Sequence, residues 1–210
     1  YWEAEAQKRR EDAKERARST EASKPISKPW FAHNLAGHLD DKTIVLNELG
    51  VDASQFAFAA PGQFYGGSPA AVLGWAMGAS LGAKLAAPEK TVICCVGDGS
   101  YVYGSAAASH MVSQTQDLPI LTIVWNNGIW NAVQNATRRM SPDGWAVKTD
   151  NFAVSTLSQS MNYEMICQAA GGYGERVEDP EEVPGAIARA LRVVKEEKRQ
   201  ALLNVVGAAR

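Results

Sequence analysis

Thr91-Val92-Ile93-Cys94-Cys95-Val96-Gly97-Asp98-Gly99-Ser100 decides the fold. Its first six residues are apolar or β-branched, the pattern of a strand buried on both faces, and a helical pattern follows at once through about Gln114. A second apolar run, Pro119–Trp125, repeats the arrangement and ends in Asn126-Asn127-Gly128. Strands alternating with helices indicate an α/β fold, a parallel sheet with helices on both faces. In such sheets ligands bind beyond the carboxyl ends of the strands. Both polar turns lie at such ends, so the site is expected there.

The turn after Val96 places backbone N–H groups and a helix N-terminus around an anion, and its glycines let a phosphate approach the main chain. An acidic residue in that cradle repels a phosphate. Asp98 makes sense when a divalent cation sits between carboxylate and phosphate, because Mg²⁺ takes about six oxygens from one or two carboxylates, phosphates and water. Asn127 follows Asp98 by 29 positions, the length of one crossover helix plus one strand, which makes the two strand ends neighbours at one edge of the sheet. An amide oxygen from Asn127 is a sound hard-cation ligand. Gly128 lets the chain turn so that the carbonyl of Ile129 supplies a third oxygen. Each turn alone is ordinary loop chemistry; the pair at the ends of consecutive strands is the specific signal. A dinucleotide fingerprint would need glycine at Val102 and an acidic residue about 20 positions on, and a Walker loop would need Gly-Lys-Ser/Thr. Both patterns are missing.

Working outward, Lys24–Pro29 carries two prolines that break any preceding helix. Ser27 can cap the next helix with Pro29 in its first turn, and Trp30, Phe31, Leu35 and Leu39 give that helix an apolar face. Thr43–Leu46 reads as a short buried strand and Ala59–Pro69 as a loop. Ala70–Ala87 reads as a helix with Gly74, Gly78 and Gly82 on one face. Helical glycines cost about 1 kcal/mol each, so this face predicts a very close neighbour. Tyr163–Ala170, Pro180–Glu197 and Ala201–Val206 read as helix, helix and strand. Residues 1–24 mix acids and bases with few apolar residues, as a solvated connector helix does. Residues 25–210 are then the binding domain.

The chain of 210 residues suits one domain with an appendage. Its 46% hydrophobic and 21% charged residues exclude a disordered chain, a collagen and a coiled coil. A net charge of −2 without a basic stripe argues against a nucleic-acid partner. No apolar run approaches the roughly 20 residues that span a bilayer, and the charged opening is no signal peptide. A soluble cytoplasmic protein is the expectation. The chain opens at Tyr1 rather than methionine, which fits a piece of a longer protein. Cys94, Cys95 and Cys167 show no zinc or redox spacing and read as structural thiols. His33, His38 and His110 carry no motif and read as structural or surface residues.

Gly97-Asp98-Gly99-Ser100 followed by Asn126-Asn127 resembles the thiamine-diphosphate motif of acetolactate synthase and its relatives, benzoylformate decarboxylase among them. Leu81-Gly82, Pro88, the Gly62…Pro69-Ala70-Ala71 loop and the closing Pro180–Val206 segment share in the likeness. The resemblance implies the diphosphate-binding domain of a larger enzyme that uses thiamine diphosphate and Mg²⁺. That enzyme would make or break a carbon–carbon bond next to a 2-oxo group of a small 2-oxo acid. By the same resemblance Asp98, Asn127 and the Ile129 carbonyl hold Mg²⁺, and Gly97, Gly99 and Ser100 meet the diphosphate. The Gly62 carbonyl accepts from the cofactor's 4′-amino group, and Phe64 props the thiamine into its bent form. Glu48–Ser54 is expected to approach the diphosphate. Ala132, Val133 and Ala136 match substrate-facing positions or simply pack within a helix.

A pyrimidine-binding domain or subunit would supply the activating glutamate, usually within a homo-oligomer, so no catalytic side chain is assigned to this chain. Three departures stand out: Cys95 before the acidic turn, Tyr65 after the prop, and Val133 where pyruvate decarboxylases carry a glutamate. The last argues against a simple aldehyde-releasing pyruvate decarboxylase. Alternative readings are a decarboxylase of an aromatic or branched 2-oxo acid, an acyl-CoA lyase, or an inactive domain kept for assembly.

Overall fold

In the computed structural model, which describes residues 2–58, 60–67 and 72–209, the apolar runs become strands of one parallel sheet. The chain enters through α1 (Trp2–Arg18), a charged and largely exposed helix. It is more than a solvated connector. Ala13 and Ala17 are buried on one face, and the Ala13 carbonyl accepts from Gln55 Nε2 at 2.7 Å. Two small residues let the helix lie close against the body. Ser27 caps α2 (Lys28–Ala36) by accepting from the Trp30 N–H at 3.2 Å, with Pro29 in the first turn as expected.

β1 (Thr43–Glu48) is followed by β2 (Phe64–Gly66), a short strand in what the sequence suggests is a loop. It pairs with β1 as an edge strand, Phe64 opposite Val45. The next helix, α3 (Trp75–Ala86), starts later than Ala70; Pro69, Ala70 and Ala71 lie outside the described residues. β3 (Thr91–Gly97) leads into α4 (Asp98–Tyr103) and α5 (Ala106–Thr115), then β4 (Leu121–Asn126). Beyond it come α6 (Asn131–Met140), α7 (Trp145–Lys148) and α8 (Tyr163–Ala169). β5 (Tyr173–Val177), α9 (Val183–Lys195) and β6 (Ala201–Val206) close the chain. β5 was not expected, because an edge strand that is only half-buried lacks a strong apolar pattern.

The sheet order is β2-β1-β3-β4-β6-β5, all parallel. Successive side chains on a strand point to opposite faces, and each face has its own core. Ile93, Ile123 and Leu203 pack with Phe31 and Leu35 of α2 and Ile187 and Val194 of α9. Cys94, Val96 and Val124 pack on the other side with Met77 of α3, Ala106 of α5 and Cys167 of α8. All three thiols are buried and unpaired. Burial pushes the Cys94 and Cys167 pKa values up to about 12, which suits structural rather than reactive groups.

Two expectations need correction. The helix after Asp98 does not run unbroken to Gln114. It stops at Tyr103, and Ser105 takes a left-handed φ of 53°. The cause is Gly104, whose backbone lies so close to that of Gly74 that a Cβ at either would collide with the other. The three spaced glycines are therefore not one packed face. Gly74 is the N-cap of α3 with φ 81°, whereas Cβ atoms at Gly78 and Gly82 would meet nothing within 4 Å.

Candidate functional site

The chain moves outward from β1 to β2 on one side and from β3 to β4 on the other, so the topological switch lies between β1 and β3. A crevice forms at such points beyond the strands' carboxyl ends. A cavity of about 320 Å³ opens there. Gly97–Ser100 forms one wall, Asn127 and Ile129–Val133 another, and Leu49 and Leu73 close a third side.

Asp98 joins the two strand-end turns. Its Oδ1 accepts from the Gly99 N–H at 2.8 Å, and its Oδ2 accepts from the Gly128 N–H at 2.7 Å, across from β3 to β4. The side chain is 2% exposed, and burial pushes its pKa up to about 6 against the opposing pull of these N–H groups. Asn127 Oδ1 accepts from the Ile129 N–H at 3.1 Å, and the Ile129 carbonyl accepts from the Asn131 N–H at 2.9 Å. The three expected oxygen donors are thus fixed in orientation, each with a lone pair remaining. Gly128 has φ 70°, and a Cβ there would come within 2.8 Å of Gln159 Cγ, so the turn needs glycine twice over.

A second layer holds the turn. Gln159 Nε2 donates to the carbonyls of Asn126 and Gly207, while Asn126 Nδ2 donates to the Gln159 carbonyl and to Asn204 Oδ1. Leu157 N–H donates to the Gly128 carbonyl at 2.7 Å, and Trp130 N–H to the Ser155 carbonyl at 2.9 Å. The segment 155–159 therefore straps the Asn127–Trp130 turn in place. No motif in the sequence announces this strap.

Of the expected site residues, Gly97, Asp98, Gly99, Ser100, Asn127 and Ile129 all line one cavity. Ala132 and Val133 join them; Ala136 is exposed and does not line it. Gly62 and Phe64, expected at the 4′-amino group and the bent thiamine and not at the diphosphate, do not line this cavity. Their segment is drawn into the sheet as β2, parallel to β1, so Phe64 lies opposite Val45 and Gly62 precedes it. The Phe64 ring packs on Phe58, centroids 5.1 Å apart. Within Glu48–Ser54, Leu49 lines the cavity, but the Glu48 carboxylate caps α3 by accepting from the N–H groups of Gly74 and Ala76 at 2.6 and 2.9 Å.

Lys28, Trp125, Trp130 and Asn131 also line the cavity and were not anticipated. Lys28 belongs to a different element, and its role is visible only once α2 is docked. Trp125 and Asn131 flank the Asn-Asn-Gly turn and were open to suspicion from position alone.

The donor set suits a hard cation held beside a phosphate. Among the described residues no three His, Cys, Asp or Glu side chains gather into a metal cluster. One carboxylate with neutral oxygens matches Mg²⁺, which retains water and phosphate ligands, better than it matches zinc. Asn131 Oδ1 is buried beside the cavity with no hydrogen-bond partner, a polar atom awaiting a donor.

Comparison with known proteins gives a consistent result. The family model described as thiamine pyrophosphate enzyme, C-terminal TPP binding domain, matches residues 48–205. A probable acetolactate synthase of Mycobacterium bovis is 29% identical over 131 residues, covering 62% of this chain and 22% of the relative. A 2-hydroxyacyl-CoA lyase of Oryza sativa is 26% identical over 134 residues, covering 64% of this chain and 22% of the relative. The thiamine diphosphate-dependent 4-hydroxybenzoylformate decarboxylase of Rhodococcus jostii superposes with a TM-score of 0.73 over 87% of this chain and 33% of that one, at 22% identity. That likeness is one of fold. The chain spans about a fifth of the length of these curated relatives.

Proposed function

We propose that this chain, which belongs to the family of thiamine pyrophosphate enzyme C-terminal TPP-binding domains, binds thiamine diphosphate through Mg²⁺ in an acetolactate-synthase-like enzyme. That enzyme makes or breaks a carbon–carbon bond next to the 2-oxo group of a small 2-oxo acid. The observation that carries the reading is Asp98, whose one carboxylate spans the turns after β3 and β4 and which lines the same cavity as Asn127 and Ile129. The cofactor, when bound, supplies a nucleophilic carbon and an electron sink, while protein groups bind and orient it. Asp98, Asn127 and the Ile129 carbonyl hold the cation. Gly97, Gly99 and Ser100 leave the main chain open to the diphosphate. Trp130 and Val133 give the cavity an apolar wall.

Residues 25–210 act as the binding domain and 1–24 as the connector leading into it. A pyrimidine-binding domain or partner subunit supplies the activating glutamate in a homo-oligomer. Val133 brings no carboxylate to the cavity, which favours carboligation or lyase chemistry over simple aldehyde release. The likeness to an acetolactate synthase and a 2-hydroxyacyl-CoA lyase supports the same choice.

Asp98→Asn tests the site. The amide oxygen still accepts one of the two N–H bonds, the volume is unchanged, and only the anion is lost. In the intact protein we expect Mg²⁺-dependent binding of thiamine diphosphate by isothermal titration to fall at least tenfold, about 1.4 kcal/mol, with the melting temperature lowered by only a few degrees. Equal affinity in variant and wild type would remove Asp98 from the metal site.

A further inference from the structure

Lys28 opens α2 and sends its side chain across to the carboxyl ends of β1 and β3. Its Nζ donates to the Leu49 carbonyl at 2.7 Å and stands 5.6 Å from the centroid of the Trp125 ring. Among the described residues that line the cavity, Lys28 is the one base and Asp98 the one acid. The described salt bridges give Lys28 no carboxylate partner. Burial pulls its pKa below the ordinary lysine value, while Asp52 and Asp98 act at longer range to keep it charged. A half-buried ammonium with one carbonyl contact still has two N–H groups to donate.

The opposite wall is weaker in positive charge than the sequence suggests. α4 has only six residues, and the Gly99 N–H at its start already donates to Asp98. A diphosphate carries several negative charges, and Asp98 cancels part of what a single Mg²⁺ contributes. A cationic side chain would complement the remaining negative charge, and the cavity provides one.

We propose that the Lys28 ammonium is a direct contact of the cofactor's diphosphate, binding its terminal phosphate oxygens from the α2 side of the cavity. This inference rests on the thiamine-diphosphate reading of the same site. The rival role is purely mechanical, with Lys28 clamping Leu49, whose φ is 63°. Selectivity for the phosphate groups separates the two, because a clamp has no reason to distinguish thiamine diphosphate from thiamine.

The test uses the intact protein with Mg²⁺ and reads binding by the fluorescence of Trp125 and Trp130, both in the cavity lining. The probes are thiamine diphosphate, inorganic pyrophosphate and unphosphorylated thiamine. Lys28→Met and Lys28→Gln are each expected to weaken the first two by about ten- to a hundredfold, the usual worth of a charge-assisted contact. Thiamine binding should be unchanged, and Lys28→Arg should keep most of the affinity. Lys28→Gln retains a donor for the Leu49 carbonyl, so it holds the comparison if Lys28→Met folds poorly. Wild-type affinity for pyrophosphate in Lys28→Gln overturns the contact, and so does an equal loss for all three probes. Failure of the wild type itself to bind thiamine diphosphate with Mg²⁺ overturns the site reading instead, a result visible before any Lys28 variant is made.

Discussion

At the scale of single residues, burial determines what each polar group does. His110 is 1% exposed, yet fully satisfied: Gln200 Nε2 donates to the carbonyls of His110 and Ala170, which identifies Gln200 Oε1 as the acceptor facing His110 Nδ1 at 2.7 Å. Nδ1 therefore carries the proton, and Nε2 accepts from the Tyr101 hydroxyl at 2.8 Å. Burial lowers the His110 pKa below its ordinary 6.5. As pH falls the unfolded chain takes up this proton first, so the contribution to stability is complete above about pH 6.5 and declines below it. Asp98, without a cation, acts with the opposite sign, since its raised pKa means stability lost as pH rises from 3.8 towards about 6. Comparing urea midpoints of wild type and His110→Gln at pH 7 and pH 5 isolates the histidine. The variant should be less stable at pH 7 but lose less on acidification; parallel losses would show that His110 is not the acid-sensitive group. Asp98→Ala should also differ from Asp98→Asn in stability. It leaves the Gly128 N–H without its partner and should cost about 1–3 kcal/mol, read from denaturant unfolding.

At the scale of elements, close backbone approach explains both where the helix after Asp98 breaks and where α3 begins. Gly74 and Gly104 meet main chain to main chain, with Gly74 at φ 81°. Gly74→Ala should destabilise the protein by several kcal/mol through collision and left-handed strain together. Gly78→Ala and Gly82→Ala enter open space on α3 and should stabilise it by up to about 1 kcal/mol each through helix propensity. Thermal unfolding of the three variants checks the contrast. A loss at Gly78 comparable to that at Gly74 would show that this face of α3 is covered in the intact protein. Phe64 belongs to the same scale, since its β2 position and its stacking on Phe58 tie it to the sheet. Phe64→Ala should lower the melting temperature, whereas Phe64→Leu should be mild because it still fills much of the volume.

At the scale of the whole molecule, the parallel sheet carries its site at the carboxyl ends of its inner strands β3 and β4. If the activating glutamate comes from another domain, the isolated chain should bind thiamine diphosphate with Mg²⁺ yet release no acetolactate or aldehyde from pyruvate; steady turnover by purified chain would overturn that division of labour. The sequence by itself determined the fold class and the pairing of Asp98 with Asn127. Both depend on local information, namely apolar runs of strand length, a polar turn at the end of each, and one crossover between them. It did not determine β2, β5 or the break after Tyr103, because edge strands have weak patterns and the break comes from Gly74, a residue 30 positions away. Nor did it place Lys28 in the cavity or Phe64 in an edge strand. Those outcomes follow from how α2 docks and which strand takes the sheet's edge, and only the tertiary structure decides such long-range contacts. A motif fixes which groups sit at the end of its own strand; which distant side chains share that space depends on packing across the sheet.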